Sequence, residues 1–363
     1  MAERGVREHT PVMTINPAPA DDAKPTMAQS ALAELRDKLQ STLGDAFTIE
    51  RELGGSGMSR VFVATEAALG RRVVFKVIAP ELAEGMSAER FAREVRLAAR
   101  LQQANIVPLL TAGNARGIPY YTMPFVDGES LRHRILAGPV PVQEATSILR
   151  DVARALAYAH THGVVHRDIK PENILLSGGA AVVTDFGIAK AFDASRMPSR
   201  SNSGKTTSGI TLAGASLGTP AYMAPEQALA DPQVDHRADL YSWGVMAWEL
   251  LAGAHPFAKW RTFQALVAAH VTEAPASLAA RVPGLPPGLA AIVMRALSKE
   301  AKDRPQSAQE IIAALDDLSS GSPGPTPSTA AGPRSDVSAR WPLVVAAIAV
   351  VAGLVAVLVL RSR

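Results

Sequence analysis

The apolar positions change period several times along the chain, and each change marks an element. Leu32, Leu35, Leu39 and Leu43 recur at helical spacing, which predicts a helix over 28–44 with Gly44 as its stop. From Phe47 to Ile78 the reading changes to strands. In RRVVFKVI (71–78), Val73, Phe75 and Val77 share one face and Val74, Lys76 and Ile78 the other. Ala88 to Leu101 returns to a charged, amphipathic helix. A longer helix is predicted over 142–161, with Ile148, Leu149, Val152, Leu156 and Ala159 on one stripe. LYSWGVMAWELL (240–251) is apolar on nearly every side and reads as a buried helix. Strands come first and helices dominate later. This predicts an α+β chain of two lobes, a small sheet-rich one and a larger helical one.

The flanks read differently. Residues 1–27 are rich in Pro, Ala and charge without a period, a disordered leader with no apolar core for a secretory signal. SSGSPGPTPSTAAGPRSDVSA (319–339) has nothing to bury and is predicted to be a flexible linker. WPLVVAAIAVVAGLVAVLVL (341–360) carries no charge. As a helix it would be about 30 Å long, the thickness of a bilayer's hydrocarbon core, so a transmembrane helix is expected there. Arg334 and Arg340 on one side balance Arg361 and Arg363 on the other, so charge does not orient the span. Only RSR follows it, and no sensor domain is expected beyond Leu360. Ala349 and Gly353 form a small-xxx-small pair that could bring two such helices together as a homodimer. No internal repeat is visible.

Composition narrows the chemistry. The 363 residues carry a formal net charge of only +3, so no nucleic-acid partner is expected. The absence of cysteine excludes disulfides, thiolate zinc sites and a Cys nucleophile together.

Five motifs follow one another in order. ELGGSGMSRVFVA (52–64) is a Gly-rich turn between strands, where backbone N–H groups can approach phosphate oxygens without Cβ interference. Lys76 lies within an otherwise apolar strand, which costs free energy unless its charge is used. Glu94 in FAREVRLAAR is a helical acid able to pair with it. A solvated lysine, and a charge ladder of Glu94 with Arg90, Arg93 and Arg96, are the structural alternatives. HRDIKPEN (166–173) crowds a base, cations, carboxylates and an amide around Pro171, which rules out an ordinary helix interior. TDFG (184–187) puts Asp185 at the end of a short apolar strand, and GTPAYMAPE (218–226) closes the series. His160, His162 and His166 invite a metal-site reading, but no carboxylate or thiolate pattern accompanies them.

In this order the motifs resemble the signature set of the eukaryotic-like (Hanks-type) protein kinases, most closely the bacterial membrane-anchored Ser/Thr kinases, over residues 45–318. The resemblance implies a two-lobed protein kinase fold, with an N-lobe over about 45–123 and a C-lobe over about 127–318. It implies a serine/threonine protein kinase using ATP and Mg²⁺, with Mn²⁺ as a substitute, on protein substrates. Asp168 would accept or orient the proton of the substrate hydroxyl, Lys170 would neutralise the transferring phosphoryl group, and Asn173 and Asp185 would hold the metal. ATP would contact Leu53, Gly54, Gly55, Ser56, Gly57, Val61, Val74, Lys76, Glu94, Met123, Pro124 and Val126. His166 would pack under Phe186, and Glu226 would pair with Arg304 in the large lobe. Thr219 would sit at the peptide-docking segment with its hydroxyl toward Asp168 and Lys170.

The sequence also departs from the family. Serines stand at the second and third glycine places of the Gly-rich loop, Val74 replaces the usual alanine, and Pro124 stands where the hinge often has Glu. Between Asp185 and Glu226, SRMPSRSNSGKTTSGITLAGAS (195–216) is rich in Ser, Thr and Gly. Autophosphorylation is expected there, at Thr211 first and then Thr206 and Thr207, with Arg167 as the phosphate's partner. Because ATP is needed, the kinase domain is expected on the cytoplasmic side of the cell membrane. Two alternatives stay open: a membrane-anchored pseudokinase scaffold, slightly favoured by the altered Gly-rich loop but opposed by intact Lys76, Asp168, Asn173 and Asp185, and a small-molecule kinase, disfavoured by GTPAYMAPE.

Overall fold

The computed structural model describes residues 27–56, 59–79, 88–186 and 220–319. The predicted leader before Met27, the linker from 320 onward and the span at 341–360 lie outside the described residues.

In chain order the elements are α1 (Met27–Leu43), β1 (Phe47–Ser56), β2 (Ser59–Glu66), β3 (Arg71–Ile78), α2 (Ala88–Ala98), β4 (Thr111–Ala115) and β5 (Ile118–Pro124). The larger lobe follows with β6 (Glu129–Ser130), α3 (Leu131–Leu136), α4 (Val142–Thr161), β7 (Ile174–Ser177) and β8 (Ala180–Val183). It ends with α5 (Pro225–Ala228), α6 (Arg237–Ala252), α7 (Phe263–Thr272), α8 (Leu278–Arg281), α9 (Pro287–Ala296) and α10 (Ala308–Ser319).

The small lobe is an antiparallel sheet in the order β1-β2-β3-β5-β4. Its two faces follow the alternation read from β3. Val73, Phe75 and Val77 join Phe62, Ala64, Leu35 and Leu39 on one side. Val74 and Ile78 join Tyr121, Met123, Phe91 and Val95 on the other. The sheet is therefore covered twice, by α1 on one face and α2 on the other.

The N-terminal helix is tied to β1 as well as packed. Gln40 Nε2 donates to Phe47 O (2.8 Å) and its Oε1 accepts from Ile49 N (3.0 Å), while Arg36 Nη2 donates to Ile49 O (3.1 Å). Leu39 is 1% exposed. Leu39→Ala is expected to cost about 2–5 kcal/mol, because it opens a cavity between helix and sheet. A denaturant midpoint unchanged by that substitution would show α1 to be dispensable.

α2 ends at Ala98 rather than at Leu101 as predicted. Leu101 instead turns into the core of the large lobe, where it is 1% exposed. That core forms around α4 and α6. α6 is buried along nearly its whole length, and Trp243 Nε1 donates to Leu149 O of α4 (3.1 Å). Gly244 lets α6 meet α9, since a Cβ there would lie 2.9 Å from Ala296 Cβ. Arg304 is fully buried, grips Glu226 through both terminal nitrogens (2.7 Å each), and donates to Ser298 O, Lys299 O and Arg237 O. The expected Glu226–Arg304 pair is thus formed, and it also holds several backbone carbonyls. A second sheet, β6-β7-β8, was foreseen only at β8.

Behind α6, His270 is fully buried with its Nε2 lacking a partner among the described residues. Burial, with the charges of His255 and Lys299, lowers its pKa to about 3. Below about pH 6.5 the unfolded chain takes up a proton that the folded chain refuses until about pH 3, so acid favours unfolding across that window. Unfolding midpoints measured from pH 7 to 4 should fall, and His270→Phe should flatten the fall. An unchanged slope in that variant would assign the acid sensitivity elsewhere.

Candidate active site

HRDIKPEN lies between α4 and β7, irregular apart from one 3₁₀ turn at Pro171–Asn173. Its first residues are held from below by Asp239, at the start of α6 and fully buried. Asp239 accepts from His166 N (2.8 Å) and Arg167 N (2.7 Å), and bonds His160 Nε2 (2.8 Å). Burial alone would raise the Asp239 carboxyl. The His160 hydrogen bond, the electrostatic influence of the His160 and His166 rings and the Arg167 N–H more than offset it and keep the group ionised. The anchor lets Arg167 adopt φ 69°, a left-handed conformation that costs a non-glycine residue about 1–2 kcal/mol.

His166 Nδ1 accepts from Asp168 N (3.2 Å), so Nε2 carries the proton it shares with Thr184 O (2.9 Å). Its ring meets Phe186 edge-on at 4.7 Å, as the resemblance implied. Asp168 then projects with its side chain 27% exposed. Lys170 Nζ donates to Asp168 Oδ2 (2.7 Å), and Asn173 Nδ2 donates to Asp168 O (2.7 Å) and Oδ2 (3.1 Å). The amide nitrogen of Asn173 is spent on Asp168, so its Oδ1 remains as an acceptor or ligand.

Asp185 follows β8 at φ 69°. Its Oδ2 accepts from Lys76 Nζ (2.7 Å) and its Oδ1 from Tyr121 Oη (2.8 Å). Burial pushes the Asp185 carboxyl up, but Lys76, Tyr121 and His166 outweigh it and keep its pKa low. Burial and the Asp185 charge push the Tyr121 hydroxyl well above the ordinary phenol range, so it stays a donor.

This corrects the expected partner of Lys76. Glu94 is buried, 9% exposed on α2, yet has no ion pair or hydrogen bond among the described residues. Lys76 has turned to the carboxylate of Asp185, which Tyr121 also engages.

Three of the expected nucleotide contacts, Val61, Val74 and Met123, lie on the strands that flank or carry Lys76. Val61 and Lys76 are cross-strand partners, as are Val74 and Met123. Thr184 Oγ1 donates to Met123 Sδ (3.3 Å). Pro124 pairs with Val73 at the end of β5, and Phe125 N donates to Arg72 O (3.3 Å). The Val126 N–H takes no backbone partner among the described residues. Leu53 is 46% exposed, and Gly54 has φ 106°, a conformation that needs glycine. The strand pairing of the Gly-rich loop runs through Gly55 and Ser56, and Gly57 lies outside the described residues. So do Thr206, Thr207, Thr211 and Thr219.

The donor set suits a hard divalent cation: a carboxylate and an amide oxygen, with few protein ligands, as Mg²⁺ takes when phosphates and water complete its shell. Among the described residues no cluster of three or more His, Cys, Asp or Glu side chains forms a metal site. His162 packs against Tyr158, and His160 bonds Asp239.

Sequence reasoning missed Tyr121 and Asp239. The signal for Asp239 was an acid heading an otherwise apolar helix, immediately before the stretch singled out at 240–251. Tyr121 had a weaker one, a phenol two positions before Met123 and therefore on the same strand face. A third group, Arg132 on α3 with Glu172, Glu249 and Tyr222, also escaped notice. Arg132 donates to Glu172 (2.8 Å), to Glu249 (2.7 Å) and to the Tyr222 hydroxyl, tying the loop of Asp168 to α6.

Comparison with known proteins agrees with this geometry. The family model described as "Protein kinase domain" matches residues 47–314. The chain is 37% identical over 316 residues to serine/threonine-protein kinase pkn2 of Myxococcus xanthus, covering 82% of this chain and 36% of that protein. It is 39% identical over 271 residues to serine/threonine-protein kinase PknJ of Mycobacterium tuberculosis, covering 73% of this chain and 44% of that protein. It therefore spans less than half the length of these curated relatives. A crystal structure of the Mycobacterium tuberculosis PknI kinase domain superposes with a TM-score of 0.57 at 30% identity, covering 76% of this chain and 96% of that one. With the Lys76–Asp185 pair and the Asp168–Lys170–Asn173 cluster set in two such lobes, the chain belongs to the protein kinase domain family.

Proposed function

We propose that this chain is a serine/threonine protein kinase that transfers the ATP γ-phosphate to Ser or Thr hydroxyls of proteins. The observation that carries this reading is the convergence of Lys170 and Asn173 on Asp168, an acid left partly open to a substrate. Asp168 Oδ1 is the atom free to accept the proton of an acceptor hydroxyl as that oxygen bonds to phosphorus and the bond to the bridging oxygen of the departing ADP breaks. Lys170 keeps positive charge beside the transferring group. Lys76 spends one of its three N–H donors on Asp185, and the others remain for α- and β-phosphate oxygens. Mg²⁺ (or Mn²⁺), held by Asn173 and Asp185, would supply charge neutralisation on the phosphate oxygens. Incubating the chain with labelled ATP and a generic basic protein tests the reading. Nucleotide binding without transfer would instead favour a pseudokinase scaffold.

Autophosphorylation within 195–216 belongs to the same reading, with Thr211 as the leading acceptor, then Thr206 and Thr207. Its support is the Arg167 guanidinium, whose Nε is buried without a partner among the described residues. A phosphate of about −1.5 to −2 charge would answer it. Thr219 is left to the peptide-docking segment. Phosphosite mapping of the active chain against Asp168→Asn decides the point, and no phosphate between 195 and 216 would refute it.

The uncharged run 341–360 supports a single transmembrane anchor with Ala349 and Gly353 as a homodimer face, and the need for ATP puts the kinase domain on the cytoplasmic side of the cell membrane. Among the described residues no helix is long and apolar enough to cross a membrane, so the anchor rests on that run alone. Deleting residues 341–363 should release the chain from membranes with its rate per active site unchanged. Retention on membranes after the deletion would refute the anchor.

A further inference from the structure

Tyr121 is a buried phenol, 3% exposed, on the cleft-facing side of β5 and directly across from Lys76 on β3. A buried tyrosine hydroxyl needs a hydrogen-bond partner. Here the partner is one carboxylate oxygen of Asp185, while Lys76 takes the other. Two neighbouring strands thus grip the same acid through opposed residues. The two grips differ in kind. Lys76 is a flexible cation whose charge the proposed reaction draws toward phosphate. Tyr121 is rigid and neutral, with Met123 and Val74 packed around it. Where Lys76 is shared between Asp185 and the nucleotide, the phenol is the contact committed to the carboxylate alone.

We propose that Tyr121 is a positioning residue for the metal-holding carboxylate: it anchors Oδ1 of Asp185 so that Oδ2, now on Lys76, is the oxygen offered to the cation. The inference rests on the reading of Asp185 as a metal ligand. It adds a residue on β5, outside the five motifs, that sets the affinity of the site for Mg²⁺.

Removing a partner that orients a metal ligand commonly costs about 10–100-fold in metal affinity. In Tyr121→Phe the Mg²⁺ concentration that half-saturates the Mg²⁺-dependent binding of a fluorescent ATP analogue should therefore rise about tenfold or more. Metal-free binding of the analogue should stay at the wild-type level, and turnover should recover at high Mg²⁺. Half-saturation within twofold of wild type, or at lower Mg²⁺, would overturn the proposal. So would a lowered melting temperature with metal dependence unchanged, since that is the mark of a packing role alone. Should Tyr121→Phe fail to fold, Tyr121→Met, which also lacks the donor but keeps bulk, is read by the same criteria. Asp185→Asn tests the underlying reading separately. It should abolish the Mg²⁺-dependent gain, and a gain that persisted would remove the metal ligand itself, whatever Tyr121 does.

Discussion

Asp168→Asn should lower phosphoryl transfer on the order of 10²–10⁴-fold, the range for losing a positioned general base, while leaving ATP binding nearly intact. The carboxylate has two duties. It accepts from Lys170 and Asn173, which fixes its orientation, and in the proposed reaction its other oxygen takes the proton of the acceptor hydroxyl. An asparagine preserves the shape but removes the charge that balances Lys170 and the basicity that takes the proton. Nucleotide binding is expected to survive, because the proposed nucleotide contacts at Lys76, Met123, Pro124 and Val126 are untouched. Single-turnover transfer of labelled phosphate, beside titration of a fluorescent ATP analogue, separates the two effects. Turnover within tenfold of wild type would end the assignment of Asp168.

Asp239→Ala should be the most damaging single change to stability. It would leave the His166 and Arg167 backbone N–H groups without their acceptor in a dry interior, and His160 without its anion. Removing one partner of a buried charged network costs about 3–5 kcal/mol, a large share of a domain's stability. The loss is also functional. Arg167 holds its left-handed conformation against Asp239, and Asp168 is the next residue. Turnover should fall even at temperatures where the variant remains folded. Asp239→Asn keeps one accepting oxygen and should lose less of both. Denaturant midpoints and turnover measured on the two variants would show this, and an alanine variant as stable and active as wild type would refute it.

Much of the molecule was legible in one dimension. The period of two in β3 sorted Val73, Phe75 and Val77 from Val74, Lys76 and Ile78, and the folded sheet divides them in that way between α1 and α2. The helix over 142–161 was placed at its observed bounds, because a long amphipathic stripe has one stable solution. Asp168, Lys170 and Asn173 could be grouped because they lie within one short turn, where local geometry forces neighbours together.

What lay beyond sequence reasoning depends on contacts between distant residues. Lys76 and Asp185 are 109 positions apart, and local pattern does not say whether the lysine turns to Asp185 or to Glu94. In the folded chain it turns to Asp185, a carboxylate that Tyr121 engages from β5 as well. Asp239 is silent in sequence for a similar reason. Its worth comes from being buried beneath a loop 73 residues earlier in the chain, where an unpaired N–H is expensive. Residue periodicity identifies elements because it is a local property of the chain, and the motifs carry the family resemblance that implies the chemistry. Which charge meets which partner is settled by packing, because only packing removes the water that would otherwise serve every polar group alike.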